Sequence, residues 1–268
     1  MLKEIINEVE IAIDTAYEKM SKQDYLSYVL FIGRADVVPY IDQINGTKCV
    51  IDYQLDRYYD KNRDGFYIRY LNRNYRREGF RYEGDDGIDD LNIEMMIYDH
   101  LWESSYFLKS LVRIASILSG KEYIWQPEIP DRGKWEFIHK QIINPLKECG
   151  SSLGFVVEKA YSSDIRDSFA HSLYTINKEN RTITLRPKRG ITTISFDDFQ
   201  DKFLYSVVLM NKMQNALERN HDNACLENAF ITKPFLTPDG VKVQIKAECI
   251  QKGTMSFPRY RMIPVTDD

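Results

Sequence analysis

Arg166 and His171 are the residues whose types and spacing point most directly to chemistry. Four residues separate them in SSDIRDSFAHSLYTI, residues 162–176, near the end of a predicted helix. An arginine offers fixed positive charge and forked N–H donors that match phosphate oxygens. A histidine takes or gives a proton near neutral pH. RNA carries its own nucleophile, the ribose 2′-hydroxyl. A metal-free site on RNA therefore needs only proton transfer and charge stabilisation at phosphorus. The same residues admit a plainer role. Arg166 would pair with Asp164 or Asp167, and His171 would cap the helix C-terminus, where a cation is favoured.

Other segments compete for attention. Arg132 and His139, with six residues between them, repeat the Arg–His pattern, but Gly133 follows the arginine and the pair falls where a helix begins. Behind His171 comes a basic hairpin with Lys178, Arg181, Arg186, Lys188 and Arg189, which lines a substrate groove or forms a solvated turn. Residues 49–82 interleave Arg57, Lys61, Arg63, Arg69, Arg73, Arg76, Arg77 and Arg81 with tyrosine and phenylalanine. That mixture suits single-stranded RNA, or else a two-faced hairpin with tyrosines inward. Asp60, Asn62, Asp64 and Gly65 match half of a calcium loop, but Leu71 stands where the bidentate Glu belongs, so a tight turn is the reading. The acidic run Asp85, Asp86, Asp89 and Asp90 is of a type that binds a metal or, more often, forms a solvated loop that caps the next helix.

The elements that must position these groups are mostly helical. Ile5, Ile6, Val9, Ile13, Ala16, Tyr17 and Met20 recur at helical spacing, and a short helix follows over 24–32. A helix over 91–118 carries Ile93, Met96, Ile97, Leu101, Phe107, Leu108, Leu111, Ile114, Ala115 and Leu118. Further helices are expected over 134–148, 153–170 and 197–219, with His221 in the loop beyond. Strand character appears in two hairpins, one over 49–82 around DKNRDG and one formed by TITL and ITTIS around RPKRG. It returns in the tail around TPDG.

Composition bounds the rest. The 268 residues are 43% hydrophobic and 28% charged, which excludes disorder as the main state. No apolar run approaches the roughly 18 residues of a membrane helix, and MLKEIINEVE is no secretory signal. Four scattered cysteines form no CxxC pair, so neither disulfides nor zinc are expected, and a cytoplasmic location fits. A net charge of −4 argues against a uniformly basic nucleic-acid binder and leaves room for local basic surfaces. No phosphate loop, G-x-S-x-G, H-E-x-x-H or Cys–His nucleophile pair is present, and no cofactor or metal is expected.

The motif resembles the HEPN superfamily, whose signature is Arg, four to six residues, then His, usually with a polar residue after the Arg. Here it reads Arg166-Asp167-Ser168-Phe169-Ala170-His171. Tyr174, a hairpin and a terminal helix follow, as in members with a tyrosine shortly after the histidine. The resemblance covers 91–219, about half the chain. It implies a mainly α fold, an up-down helical bundle, here with inserted β-hairpins and a β-rich C-terminal tail. It further implies a metal-independent endoribonuclease of toxin–antitoxin, phage-defence or CRISPR type. RNA is then the substrate, a homodimer faces both Arg–His pairs into one cleft, and an antitoxin or regulatory protein is a partner. Arg166 stabilises phosphate, His171 does acid–base work, and Asp167 orients them. Tyr174, Arg181, Arg186, Lys188 and Arg189 are the substrate-binding candidates. One departure stands out: tyrosine-modified toxins carry that tyrosine two residues after the histidine, and Tyr174 is three after. The alternative is a non-catalytic module of the same fold that binds nucleotide, RNA or protein. The expected division is an N-terminal helical segment (1–45), the Tyr/Arg hairpin and acidic loop (46–87), the HEPN-like domain (88–220) and a C-terminal extension (221–268).

Overall fold

An apolar residue at every third or fourth position gives the first helix one face to bury, and that face decides where it goes. In the computed structural model, which describes residues 2–37, 49–51, 65–70, 84–188, 190–227, 230–252 and 255–265, helix α1 (Leu2–Gln23) buries Ile5, Val9, Ala12, Ile13, Ala16, Tyr17 and Met20. It packs on α10 (Phe196–Leu226), α8 (Ser152–Ala160) and α5 (Ser105–Leu118). Asp24 stops α1 and caps α2 (Tyr25–Ile32), accepting from the Ser27 N–H at 3.1 Å. The long α10 threads the centre with Phe199, Phe203, Leu204 and Val207 buried, and it runs past the expected end to include His221. The fold is mainly helical with small antiparallel sheets.

Two expected helices are each broken by serine. The stretch 91–118 divides into α4 (Gly84–Glu103) and α5, with the Ser104 hydroxyl accepting from the Phe107 N–H at 3.3 Å. The stretch 153–170 divides into α8 and α9 (Ser163–Ala170), capped by Ser162. Serine competes for backbone donors and so starts helices. The apolar rhythm resumes in step beyond each break, which hides it from periodicity. In α4, Met95 rather than Met96 faces the core. The acidic stretch read as a loop is helical from Gly84, since acidic residues suit a helix N-terminus.

The hairpin expected over 49–82 does not form as drawn. Cys49–Ile51 (β2) pairs instead with Ala35–Val37 (β1), and residues 65–70 form a helical turn, α3. Helical spacing turns Tyr67 and Tyr70 to the same side. Tyr67 is buried, and the Tyr70 hydroxyl lies 3.3 Å from both the Asp90 and Glu94 carboxylates. The DKNRDG turn up to Asp64 and the other Tyr/Arg residues lie outside the described residues.

The expected helix over 134–148 contains a wider turn. After α6 (Lys134–Ile138), residues His139–Ile143 form a π-turn in which the Asn144 N–H bonds the His139 carbonyl, and α7 (Asn144–Glu148) follows. Pro145 is the cause: it has no N–H and its ring would clash with the carbonyl four residues back. The TITL and ITTIS hairpin forms as β4 (Thr182–Leu185) and β5 (Thr192–Ser195), and β3 (Tyr174–Asn177) adds a third antiparallel strand beside β4. The tail is a meander of β6 (Phe230–Leu236), β7 (Lys242–Lys252) and β8 (Met255–Pro264). Val243, Ile245 and Ala247 of β7 and Tyr260 and Met262 of β8 alternate into the one apolar core that also holds the α1 stripe. Among the described residues, no helix is long and apolar enough to cross a membrane.

Gly154 marks a close approach of α8 to α7. A Cβ there would meet the Lys147 backbone nitrogen at 2.9 Å and the Leu146 Cβ at 3.0 Å. Glycine to alanine in a helix ordinarily stabilises by roughly 0.5–1 kcal/mol. Gly154→Ala is expected to reverse that sign and cost about 1–3 kcal/mol through overpacking. Urea unfolding of the two proteins decides it, and an unchanged or higher midpoint refutes the close contact.

Candidate functional site

The direction of α9, and with it Arg166, is set where α8 ends. Tyr161 turns to an extended conformation (ψ 137°) and Ser162 follows at φ −144°, its hydroxyl accepting from the Ile165 N–H at 3.4 Å. The break frees a backbone carbonyl and a backbone N–H inside the protein. The Tyr98 hydroxyl takes both, donating to the Ala160 carbonyl (2.9 Å) and accepting from the Ser162 N–H (2.6 Å). The Ser206 hydroxyl of α10 accepts from the Trp102 indole at 3.0 Å and shares its one hydrogen between the Lys202 carbonyl at 2.7 Å and, more weakly, the Ala160 carbonyl at 3.2 Å. Burial pushes the Tyr98 phenol well above its ordinary value.

With Ile165 and Ser168 buried, Arg166 is carried to the edge of the α4 packing surface, its side chain 15% exposed. Its Nε donates to Asp167 Oδ1 at 3.1 Å, its Nη2 donates to the same oxygen, and its Nη1 donates to Glu103 Oε1 at 3.0 Å. Lys134, the first residue of α6, donates to the other oxygen of Glu103. A guanidinium has about five N–H donors, and three are engaged among the described residues. Burial works against the Arg166 charge, but Asp167 and Glu103 outweigh it and hold the guanidinium more firmly protonated. Asp99, one turn before Glu103, is buried, and its Oδ1 has no hydrogen-bond partner among the described residues. Burial first, and the Glu103 charge second, raise its carboxyl pKa, while His100, Arg166 and Lys134 pull the other way.

His171 ends α9, its backbone N–H bonded to the Asp167 carbonyl at 3.2 Å. The residue is exposed, and its imidazole has no hydrogen-bond partner among the described residues. Tyr174 ties the start of β3 to α4, donating to Asn92 Oδ1 at 2.8 Å and stacking on Phe169 at 5.8 Å. Arg186 donates to the Thr175 hydroxyl at 3.3 Å and Lys188 is exposed. Arg181 turns instead to the start of α10, 3.7 Å from Asp197 and over the Phe196 ring. Arg189 lies outside the described residues.

Glu103, Lys134 and Asp99 escaped the sequence reading. The Asp99–Glu103 spacing puts two carboxylates one helical turn apart, on the same side of α4, and was the available signal. For Lys134 there was none, since its partner is 31 residues away. The segment 132–139, the second Arg–His match, thus meets the first through Glu103, which Lys134 and Arg166 share. The His139 ring lies 6.3 Å from Tyr161, edge-on. Among the described residues, no three His, Cys, Asp or Glu side chains come together as a metal site. Set against known proteins, the chain matches no family model, no curated protein and no solved structure.

Two outcomes follow from this geometry. Tyr98→Phe leaves the Ser162 N–H without its partner and should cost about 1–3 kcal/mol in urea unfolding. A cost near zero would show that the hydroxyl does not hold the break. Because the Asp99 carboxyl is raised in the folded state, the folded protein binds that proton more tightly than the unfolded chain. Its contribution to stability is therefore lost as pH rises from the ordinary carboxyl value through the raised one. Asp99→Asn has no such loss, so its stability relative to the parent should improve between pH 4.5 and pH 7.5. A difference that stays constant with pH would sink this assignment.

Proposed function

We propose that the protein is a metal-independent endoribonuclease of HEPN type. The observation that carries this is the pairing of unlike roles on one helix. Arg166 is held in direction by Asp167 and Glu103, with two of its donors unengaged among the described residues, and His171, at the end of α9, presents an exposed imidazole without a partner among the described residues. Arg186 and Lys188 follow as exposed cations that extend phosphate contact. In the reaction the 2′-oxygen bonds to phosphorus and the bond to the 5′-oxygen breaks. The proton leaving the 2′-hydroxyl goes to an imidazole and the departing oxygen gains one. The products are a 2′,3′-cyclic phosphate and a 5′-hydroxyl. A homodimer with two His171 side chains at one cleft supplies base and acid separately. A role in toxin–antitoxin or phage defence belongs to the same proposal.

A second reading, a non-catalytic module that binds nucleotide, RNA or protein, is favoured by charge balance. Lys134 and Arg166 are already matched by Glu103 and Asp167, as in a purely structural ion cluster. Cleavage of an RNA ladder in EDTA separates the two. The parent should cut RNA, spare DNA and leave cyclic phosphate ends. His171→Ala should lose roughly 10²–10⁴-fold, the worth of positioned proton transfer. Arg166→Ala should lose a comparable factor through lost charge stabilisation. The nuclease reading falls if cutting requires added divalent metal, or if His171→Ala cuts as fast as the parent. Light scattering that shows a monomer at micromolar concentration removes the dimer.

A further inference from the structure

We propose that Lys134 and Arg166 together form a binding site for an RNA phosphodiester, and that Glu103 occupies this site until the phosphate takes its place. This rests on the RNA reading above and deepens it. It adds Lys134 as a second phosphate-binding residue and names the internal group that the substrate displaces.

The Glu103 carboxylate sits between two cations as a bound anion would. Its Oε1 accepts from Arg166 Nη1 at 3.0 Å, and its Oε2 accepts from Lys134 Nζ. Two oxygens on one phosphorus can bridge the same two donors. Arginine and lysine both suit phosphate, the first through its planar fork and the second as a point charge. The two cations come from separate elements, α9 and α6, so helix packing alone brings them to one carboxylate.

Burial decides which member of the cluster moves. The Lys134 side chain is 8% exposed and that of Arg166 15%, whereas Glu103, at the end of α4, is 41% exposed. Asp167 holds Arg166 through Nε and Nη2 whether or not Glu103 stays. Glu103 is therefore the group that can turn to water while both cations remain. It cannot leave them bare. Glu103 is the one hydrogen-bond acceptor of Lys134 among the described residues, and a buried ammonium without an anion is costly. Exchange for a second anion avoids that cost. A phosphodiester carries the same single negative charge as the carboxylate and regains both charge-assisted hydrogen bonds.

The test measures binding of a labelled oligouridylate to the full chain as His171→Ala, so that RNA stays intact, in EDTA. Glu103→Gln keeps the shape and removes the competing charge, and it should tighten binding about 2–10-fold. Glu136→Gln removes the same charge from an exposed pair with Lys140 and should change binding little. Lys134→Met should weaken binding about 10–100-fold. It should also lower the slope of log affinity against log salt by about 0.7, the share of one phosphate contact on a single strand. In the Lys134→Met background the gain from Glu103→Gln should shrink, because both act on one site. A purely structural cluster gives another pattern, in which Glu103→Gln lowers stability without tightening RNA binding. The proposal is overturned if Glu103→Gln binds no more tightly than the parent, or if Glu136→Gln tightens binding as much. Parental affinity and salt slope in folded Lys134→Met overturn it as well. So does absence of RNA binding by the parent and Glu103→Gln alike. The expected binding pattern in a protein that cuts nothing with His171 restored keeps the site and removes the nuclease. Cleavage in EDTA, with binding indifferent to Glu103 and Lys134, does the reverse.

Discussion

The Tyr98 hydroxyl holds the bend on which the site depends. A helix interrupted inside a protein exposes a carbonyl and an N–H with no water to take them, and each orphan costs about 1–3 kcal/mol. Tyr98 answers both at once, and the Ser206 hydroxyl, which donates chiefly to the Lys202 carbonyl, lies 3.2 Å from the Ala160 carbonyl. Tyr98 stands on α4, Ser206 on α10, and the bend joins α8 to α9, so four elements meet at one polar knot within an apolar core. Were α8 and α9 a single straight helix, Arg166 would advance along the α8 axis instead of lying against Glu103.

The charges gathered there are placed for one another rather than for their own helices. Glu103 is the last residue of α4 and Lys134 the first of α6. A carboxylate at a helix C-terminus and an ammonium at an N-terminus both oppose the helix dipole, by roughly 0.3–1 kcal/mol each. Their mutual pairing offsets that penalty, and Arg166 completes the cluster from α9. Lys134 and Arg166 are both largely buried, and a buried cation persists only when it is paired and hydrogen-bonded. Asp99 is the exception, a buried carboxyl with one oxygen that has no hydrogen-bond partner among the described residues, and burial, with the Glu103 charge, raises its pKa.

The β elements frame this helical arrangement. The β3–β5 sheet turns Ile183 and Leu185 inward and its threonines outward, so it closes the end of the core next to α9 without adding a second core. The tail meander does the same beside α10, where the Tyr260 ring covers His221 at 4.8 Å.

Helix faces were legible in the sequence because burial is periodic. The stripes of α1, α5 and α10, the strands TITL and ITTIS, and the helical setting of Arg166 and His171 all follow from spacing alone. The breaks at Ser104 and Ser162 were not legible, because the apolar pattern continues in step across them and a serine mid-helix resembles a serine cap. The helical turn at 65–70 was hidden because alternating tyrosines suit a strand equally well. The partners of Arg166 were only half visible. Asp167 is its chain neighbour, whereas Glu103 and Lys134 come from helices 63 and 32 residues away in sequence. Local spacing decides which face of an element is buried. Which distant charges share a buried site is decided only when helices pack, because pairing depends on distance in space and on the loss of water around the ions.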